Sequence, residues 1–356
     1  MSDRLLRRIQ PEQIRELALL VVLLVIVAFF ASQIPNYVSG RTFTRLTTSI
    51  PIVVVVGVGL TLVVLTRNID LSIGAIVGAT AYGMGSVLTA QPGLNPLLAI
   101  AICILVGGLL GAVNGVIVAY GRVPAIVATL GTLAIFRAVL VTVSGGKPVT
   151  VSRLPDWLAD LNAVNLLSLG DVDIRVLFPI AIAVVILFQL VLRYLPFGRR
   201  LFAIGSNPDA ATTAGLPVQR DVFTAFVLCG AISGLGGFMY LARFGNIEPA
   251  AGLGLELDVV AAVVVGGVNI FGGSGSMIGV LLGASVLALI DQGLARWAVV
   301  SEFIRGALLG LLILLAVASD RIVLDRLRAA QIRVNRDEAL RSIPAAPEPG
   351  AEATGV

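Results

Sequence analysis

The sequence predicts an all-α polytopic membrane protein of about ten transmembrane helices. Composition comes first: of 356 residues, 57% are hydrophobic and only 13% charged, and the mean hydropathy is +0.99, a balance typical of chains solvated by lipid. Apolar runs also recur at about 20 residues, the length a helix needs to cross a bilayer core. Finally, the 39 glycines lie mostly inside those runs rather than in linkers, as expected where helices approach closely through small residues.

Taken in order, the expected spans are 16–34, 47–66, 71–90, 96–119, 124–143, 174–195, 221–243, 257–271, 276–295 and 301–320. The first follows "MSDRLLRRIQPEQIRE", a basic start that invites comparison with a cleaved signal peptide. Acids among its arginines and the poor cleavage site in "SQIPNYVSG" favour an uncleaved span after a cytosolic segment, 1–15. The eighth run is short and is expected to be tilted, broken or re-entrant, with the interruption near 266–276. The tail after 320, ending in "PAAPEPGAEATGV", has too little apolar surface to fold at its end and is read as cytosolic.

Basic residues set the orientation. With both termini inside, the inner side collects Arg4, Arg7, Arg8, Arg15, Arg67, Arg122, Arg193, Arg199, Arg200, Arg220 and the arginines of the tail. The outer side receives fewer than half as many, Lys147 among them. The loop 144–173 is then periplasmic and the loop 193–220 cytosolic. Arg137, Glu256, Asp258, Asp291 and Arg305 fall near predicted outer ends, where snorkelling or ion pairing would explain them.

The cytosolic loop contains "FGRRLFAIGSNPDAATTAGLPVQRD". Asn207 suits an N-cap, Pro208 a first helical position, Asp209 the positive end of the dipole and Gly215 a stop. A two-turn helix results, faced with small residues including Ala210 and Ala211. Such a helix is marginal alone, so it is either a solvated connector or a docking element for a cytosolic partner.

These residues resemble the coupling loop of the ribose-type ABC importer permeases. The likeness continues through "TLVVLTRNIDLSIGAIVGA", "NGVIVAYGRVPAIVATLGTLAIFRAVLVTVSGGKPV" and "GLELDVVAAVVVGGVNIFGGSGSMIGVLLGA", covering most of 50–320. The "TRNID" form, with Arg67 and Asn68 where most of that family has two glycines, looks like the branch that includes autoinducer-2 and rhamnose importer permeases. The resemblance implies a translocation path for a small sugar-like substrate in the bacterial inner membrane. It implies as partners two cytosolic ATPases that use the ATP, a second identical or homologous permease and a periplasmic or lipoprotein solute-binding protein. Coupling to the ATPase would fall on Gly198, Arg199, Asn207, Asp209, Ala210, Ala211 and Gly215.

Candidates for the path are Asn68, Asp70, Asn114, Gly267, Asn269 and Gly273. Asp70 opens the helix of "IDLSIG" and is read as its cap or, less simply, as a substrate contact. Arg67 is open to three readings: an anchor, a partner for Asp70 or part of the ATPase contact surface. Asn114 is an amide inside a span and needs a partner. "GGVNIFGGSGSMIG" interrupts the apolar run either beside the path or as a tight turn. Glycines spaced by four at Gly74/Gly78, Gly107/Gly111/Gly115, Gly230/Gly234, Gly279/Gly283 and Gly306/Gly310 are read as packing sites.

Several classes are disfavoured. The chain has no histidine, and its two cysteines lie in apolar runs, so neither a metal nor a disulfide framework is expected. The one lysine, Lys147, has Val141 where a phosphate-binding loop needs its first glycine and Pro148 where it needs Ser or Thr. No bound cofactor and no enzymatic activity are therefore expected, and ATP hydrolysis would belong to a partner chain. An ion-coupled secondary transporter is the alternative, disfavoured because no acid falls clearly at the membrane midplane.

Overall fold

In the computed structural model, residues 11–297, with 307, 310 and 311, are described. The expected tenth span, the tail and the first ten residues lie outside them, except for those three positions. The helices are α1 Pro11–Gln33, α2 Gly40–Val64, α3 Ile73–Ala90, α4 Pro96–Gly115, α5 Ala125–Ser144, α6 Asp156–Ala163, α7 Leu177–Tyr194, α8 Pro196–Ser206, α9 Pro208–Thr213, α10 Val218–Phe244, α11 Leu255–Val265 and α12 Met277–Arg296. Strands β1 Asn165–Leu169 and β2 Val172–Arg175 form an antiparallel hairpin. Among the described residues, eight helices are long and apolar enough to cross a membrane.

The bundle is built around α2. From Val54 to Val64 every residue is buried, so this helix is apolar all round, the pattern of a helix enclosed by protein. It begins at Gly40, earlier than expected, because Ser39 caps it through the Thr42 amide. Packed on it are α7, α10, α11 and α12. At the periphery, α1 presents Leu17, Val21 and Leu24 outward and touches α12 where Phe30 and Ile34 meet Leu289 and Leu294.

The closest crossing joins α4 to α10, and glycine makes it. A methyl group on Gly107 would fall on the carbonyl oxygen of Gly230, one on Gly111 on that of Phe226, and one on Gly234 on that of Cys103. The expected packing role of the Gly107/Gly111 and Gly230/Gly234 pairs is met by backbone-to-backbone contact. Gly279 and Gly283 on α12 likewise lie against Gly266 and Ala262.

The loop 144–173 holds its own structure: α6 stacks Trp157 on Phe238 with ring centroids 6.4 Å apart, and the hairpin docks on α2 through a 2.9 Å bond from the Asp173 amide to Thr44 Oγ1. Arg137 and Glu256 do not sit at outer ends. On the parallel helices α3 and α10, Gly237 packs on Thr80, and α10 then continues to Phe244, about 10 Å further. Yet the carbonyls of Ala251 and Gly252 lie against Gly78 and Gly74, below Thr80 on α3. The chain therefore turns back into the bundle between Gly245 and Gly254, and α11 starts at depth. Its 11 residues extend about 16 Å, too short to cross. The eighth run is thus a half-helix preceded by a re-entrant segment, and Glu256 in its first turn is an acid inside the bundle.

The α4–α10 crossing is testable. Gly230→Leu should destabilise the bundle by about 1–3 kcal/mol or more, lowering the thermal aggregation midpoint in detergent, whereas Gly131→Leu, which meets open space, should leave it unchanged. Equal midpoints for the two variants would remove this crossing from the core of the fold.

Candidate coupling and translocation site

The segment 196–217 carries two helices where one was expected. Pro196 starts α8, which buries Gly198, Leu201, Ile204 and Gly205 and leaves Arg199 exposed. Gly198 is pressed against the Leu192 backbone of α7, with no room for a side chain. Spacing of Phe197, Leu201 and Ile204 after a proline at the first position was the available signal for α8.

Asn207 then breaks the helix in extended conformation and caps α9, its Oδ1 accepting from the Ala210 amide at 3.0 Å. Pro208 and Asp209 fill the first turn as expected. Gly215 ends the element with φ +78°, a left-handed turn that glycine adopts without strain. Ala211 faces the protein, while Asp209, Ala210, Thr212, Thr213, Ala214 and Gly215 are exposed. The result is a small, low-relief surface held out from the bundle.

Two arginines hold this element in place. Arg200 makes a two-pronged ion pair with Asp221 at the start of α10, at 2.6 and 2.9 Å, and the carboxylate raises the Arg200 pKa above its ordinary value. Such a fork is among the stronger polar contacts available. Asp221 is buried. No motif spacing marked this pair.

Arg67 holds the other end. Left-handed at φ +65°, it donates from Nε to the Gly205 carbonyl at 2.6 Å and from NH2 to the Ser206 carbonyl at 2.7 Å. Those are carbonyls of the last turn of α8, where a cation is favoured by the helix dipole. The amide of Gly273 donates to the neighbouring Leu65 carbonyl at 3.1 Å, and Gly272 packs on the Arg67 stem. Of the three readings of Arg67, the structure supports an anchor, directed at α8 rather than at Asp70.

Three residues further on, Asp70 is fully buried. It accepts from the Ser72 amide at 2.9 Å and from Ser72 Oγ at 2.7 Å; the expected bond to the Ser72 amide is present, but the helix begins at Ile73 and its cap position is Ser72 rather than Asp70. Asn114 Nδ2 lies 3.2 Å from Asp70 Oδ2 and donates at 2.7 Å to Ser72 Oγ. Asn114 Oδ1 has no partner. Thr129 of α5 reaches the Ile69 carbonyl at 3.3 Å. The path candidates Asp70 and Asn114 therefore meet in one polar cluster joining α3, α4 and α5.

The other path candidates lie elsewhere. Asn68 folds back on Thr66. Gly267, Asn269 and Gly273 form the turn between α11 and α12, at the same end of the bundle as α8. Gly267 accepts a bond from Arg15 of α1, Asn269 Oδ1 accepts from the Phe271 amide, and Ser276 Oγ donates to Glu16 at 2.6 Å. Among the described residues no group of three or more His, Cys, Asp or Glu could hold a metal ion.

Comparison with known families decides the affiliation. Residues 42–317 match the family described as branched-chain amino acid transport system / permease component. The chain belongs to this permease family. Within it, the chain is 36% identical over 306 residues to the autoinducer 2 import system permease protein LsrC of Yersinia pseudotuberculosis (serotype O:1b), covering 84% of each. It is 37% identical over 325 residues to that of Escherichia coli K12 (strain DH10B), covering 89% of this chain and 88% of that one. No solved structure matches the chain. The long apolar helices and this family make the protein a multi-pass inner-membrane ABC permease, with an anchored α8–α9 element at one end of its bundle.

Removing the anchor should loosen α8 alone. Arg67→Ala gives up two charge-assisted bonds, each worth about 1.5–3 kcal/mol when protected from water and less at this partly exposed site. Amide hydrogen exchange at 203–207 should rise at least tenfold, with Arg67→Lys recovering only part of the protection. Unchanged exchange would show that the anchor does not hold the helix.

Proposed function

We propose that this permease forms the translocation path of an importer for autoinducer-2, rhamnose or a related small polyhydroxylated molecule, driven by separate ATPases. The observation that carries the substrate class is the similarity along nearly the whole chain to autoinducer 2 import permeases. The free face of α9 fits the reading that a cytosolic ATPase grips this element. Both termini would then be cytoplasmic, the hairpin end would face the periplasm, and a solute-binding protein would deliver ligand there. A second permease copy would complete the path. ATP would be bound and hydrolysed by the partner, leaving this chain without a cofactor of its own.

Mechanically, the proposal needs the α8–α9 element to be firmly fastened, because a loose lever transmits nothing. Arg200 fastens it to α10 and Arg67 to the end of α2. From Arg67 the chain runs directly into Asp70, so a push on α9 is delivered to the polar cluster that joins α3, α4 and α5. An ion-coupled carrier is the competing reading, and the start of α11 at depth, with Glu256 in its first turn, gives it an acid inside the bundle. Membership of an ABC permease family weighs against it.

The test has two arms. Deleting the gene in its host should slow the removal of added autoinducer-2 or rhamnose from the medium at least tenfold; unchanged clearance of both would overturn the substrate assignment. Ala210→Glu combined with Ala214→Glu, both on the exposed face of α9, should reduce ATPase co-purification at least tenfold with the permease still in the membrane. Undiminished co-purification would overturn the docking assignment.

A further inference from the structure

The re-entrant segment raises a question that its packing answers. Backbone without helical or sheet pairing is not tolerated against lipid; at membrane depth it occurs only where protein or a water-filled cavity covers it. Here Leu253 and Leu257, on the segment and on the first turn of α11, are 70% and 65% exposed in the single chain. The carbonyls of Ala251 and Gly252 have that cover from Gly78 and Gly74 of α3, while Leu253 and Leu257 are open.

Two charged side chains meet at this place from opposite sides. Arg137 of α5 donates from NH1 to the Ala251 carbonyl, and Glu256 of α11 accepts through Oε1 from the Gly254 amide at 3.2 Å. Each thus spends one polar atom on the re-entrant backbone. A second atom of each, Arg137 Nε and Glu256 Oε2, is buried with no partner. The two charges feel each other but make no direct ion pair. A buried donor and a buried acceptor left unsatisfied are costly, and such groups recur where a ligand is to be bound.

We propose that Arg137 and Glu256, with the backbone of 250–254, form a ligand-contact site in the translocation path for a neutral polyhydroxylated molecule. The assignment deepens the importer reading and rests on it for the ligand's route. The chemistry selects the class: a hydroxyl hydrogen suits Glu256 Oε2, and a hydroxyl oxygen suits Arg137 Nε–H. An anion would be opposed by Glu256 and a cation by Arg137, so the paired charges favour a molecule carrying hydroxyls and no net charge. A backbone that turns back at depth leaves carbonyls there for further hydroxyls.

The experiment uses the full chain in membrane fragments open on both sides. Both native cysteines are buried, so Leu253→Cys offers a single reactive thiol, and Leu24→Cys on the outer surface of α1 is the lipid-facing control. A membrane-impermeant sulfonated methanethiosulfonate should modify position 253 at least tenfold faster than position 24. Millimolar rhamnose or autoinducer-2 should slow modification at 253 at least threefold, acetate and ammonium should not, and Glu256→Gln should abolish the protection. Equal rates at 253 and 24 would overturn the placement in the translocation path. Labelling at 253 without protection by either hydroxylated probe, or protection that survives Glu256→Gln, would overturn the ligand assignment. A failed importer reading appears separately, as unchanged clearance by the deletion strain.

Discussion

Hydrocarbon offers the backbone no hydrogen-bond partners, and the rest of this structure follows from that constraint. It explains why most of the described chain is in long helices. It also explains why each departure from helix is covered. The turn after α2 is closed by Arg67, Asp70 and Ser72, and the turn between α11 and α12 is held by Arg15, Glu16 and the Leu65 carbonyl. The re-entrant stretch before α11 is laid on the glycines of α3 and bound by Arg137. Polar side chains inside the bundle go first to freed backbone, as Arg67, Asp70 and Arg137 do.

Close packing is the second half of the design. Helices in lipid gain little from apolar contact alone, so they associate by bringing backbones together. Gly107, Gly111, Gly230 and Gly234 let α4 and α10 touch backbone to backbone. Because Asp221 in the first turn of α10 holds Arg200, and Asn114 near the end of α4 holds Asp70, this crossing ties both polar fastenings to one rigid pair. The small element α9 is short and weak by itself, and its position is firm only because α8 is pinned at both ends.

How far the sequence could be read depended on whether the signal was local. The capped helix at Asn207–Gly215 was legible in full, since N-cap, proline and glycine act within a few residues of themselves. The packing of the glycine pairs was legible for the same reason: a four-residue spacing puts both on one face. Helix α8 was legible only in part: a proline at its first position and the spacing of Phe197, Leu201 and Ile204 suit a helix, but 11 residues carrying two arginines offer little apolar surface to signal one. The hairpin at Asn165–Arg175 was missed because its strands are short and their alternation is weak. Arg137 and Glu256 were placed at helix ends by counting residues, a method that fails once a span is interrupted.

The sequence by itself determined that this chain lives in a membrane, where its long helices fall, which short element stands ready on one face, and to which permeases it is akin. Each of these rests on composition or on neighbours along the chain. Only the tertiary structure decided that Arg67 grips α8 rather than Asp70, that Asp70 and Asn114 share one cluster, and that the chain re-enters the bundle before α11. Those are contacts between residues tens to more than a hundred positions apart. Their partners are chosen by how the helices cross, and no local pattern of residues encodes a crossing.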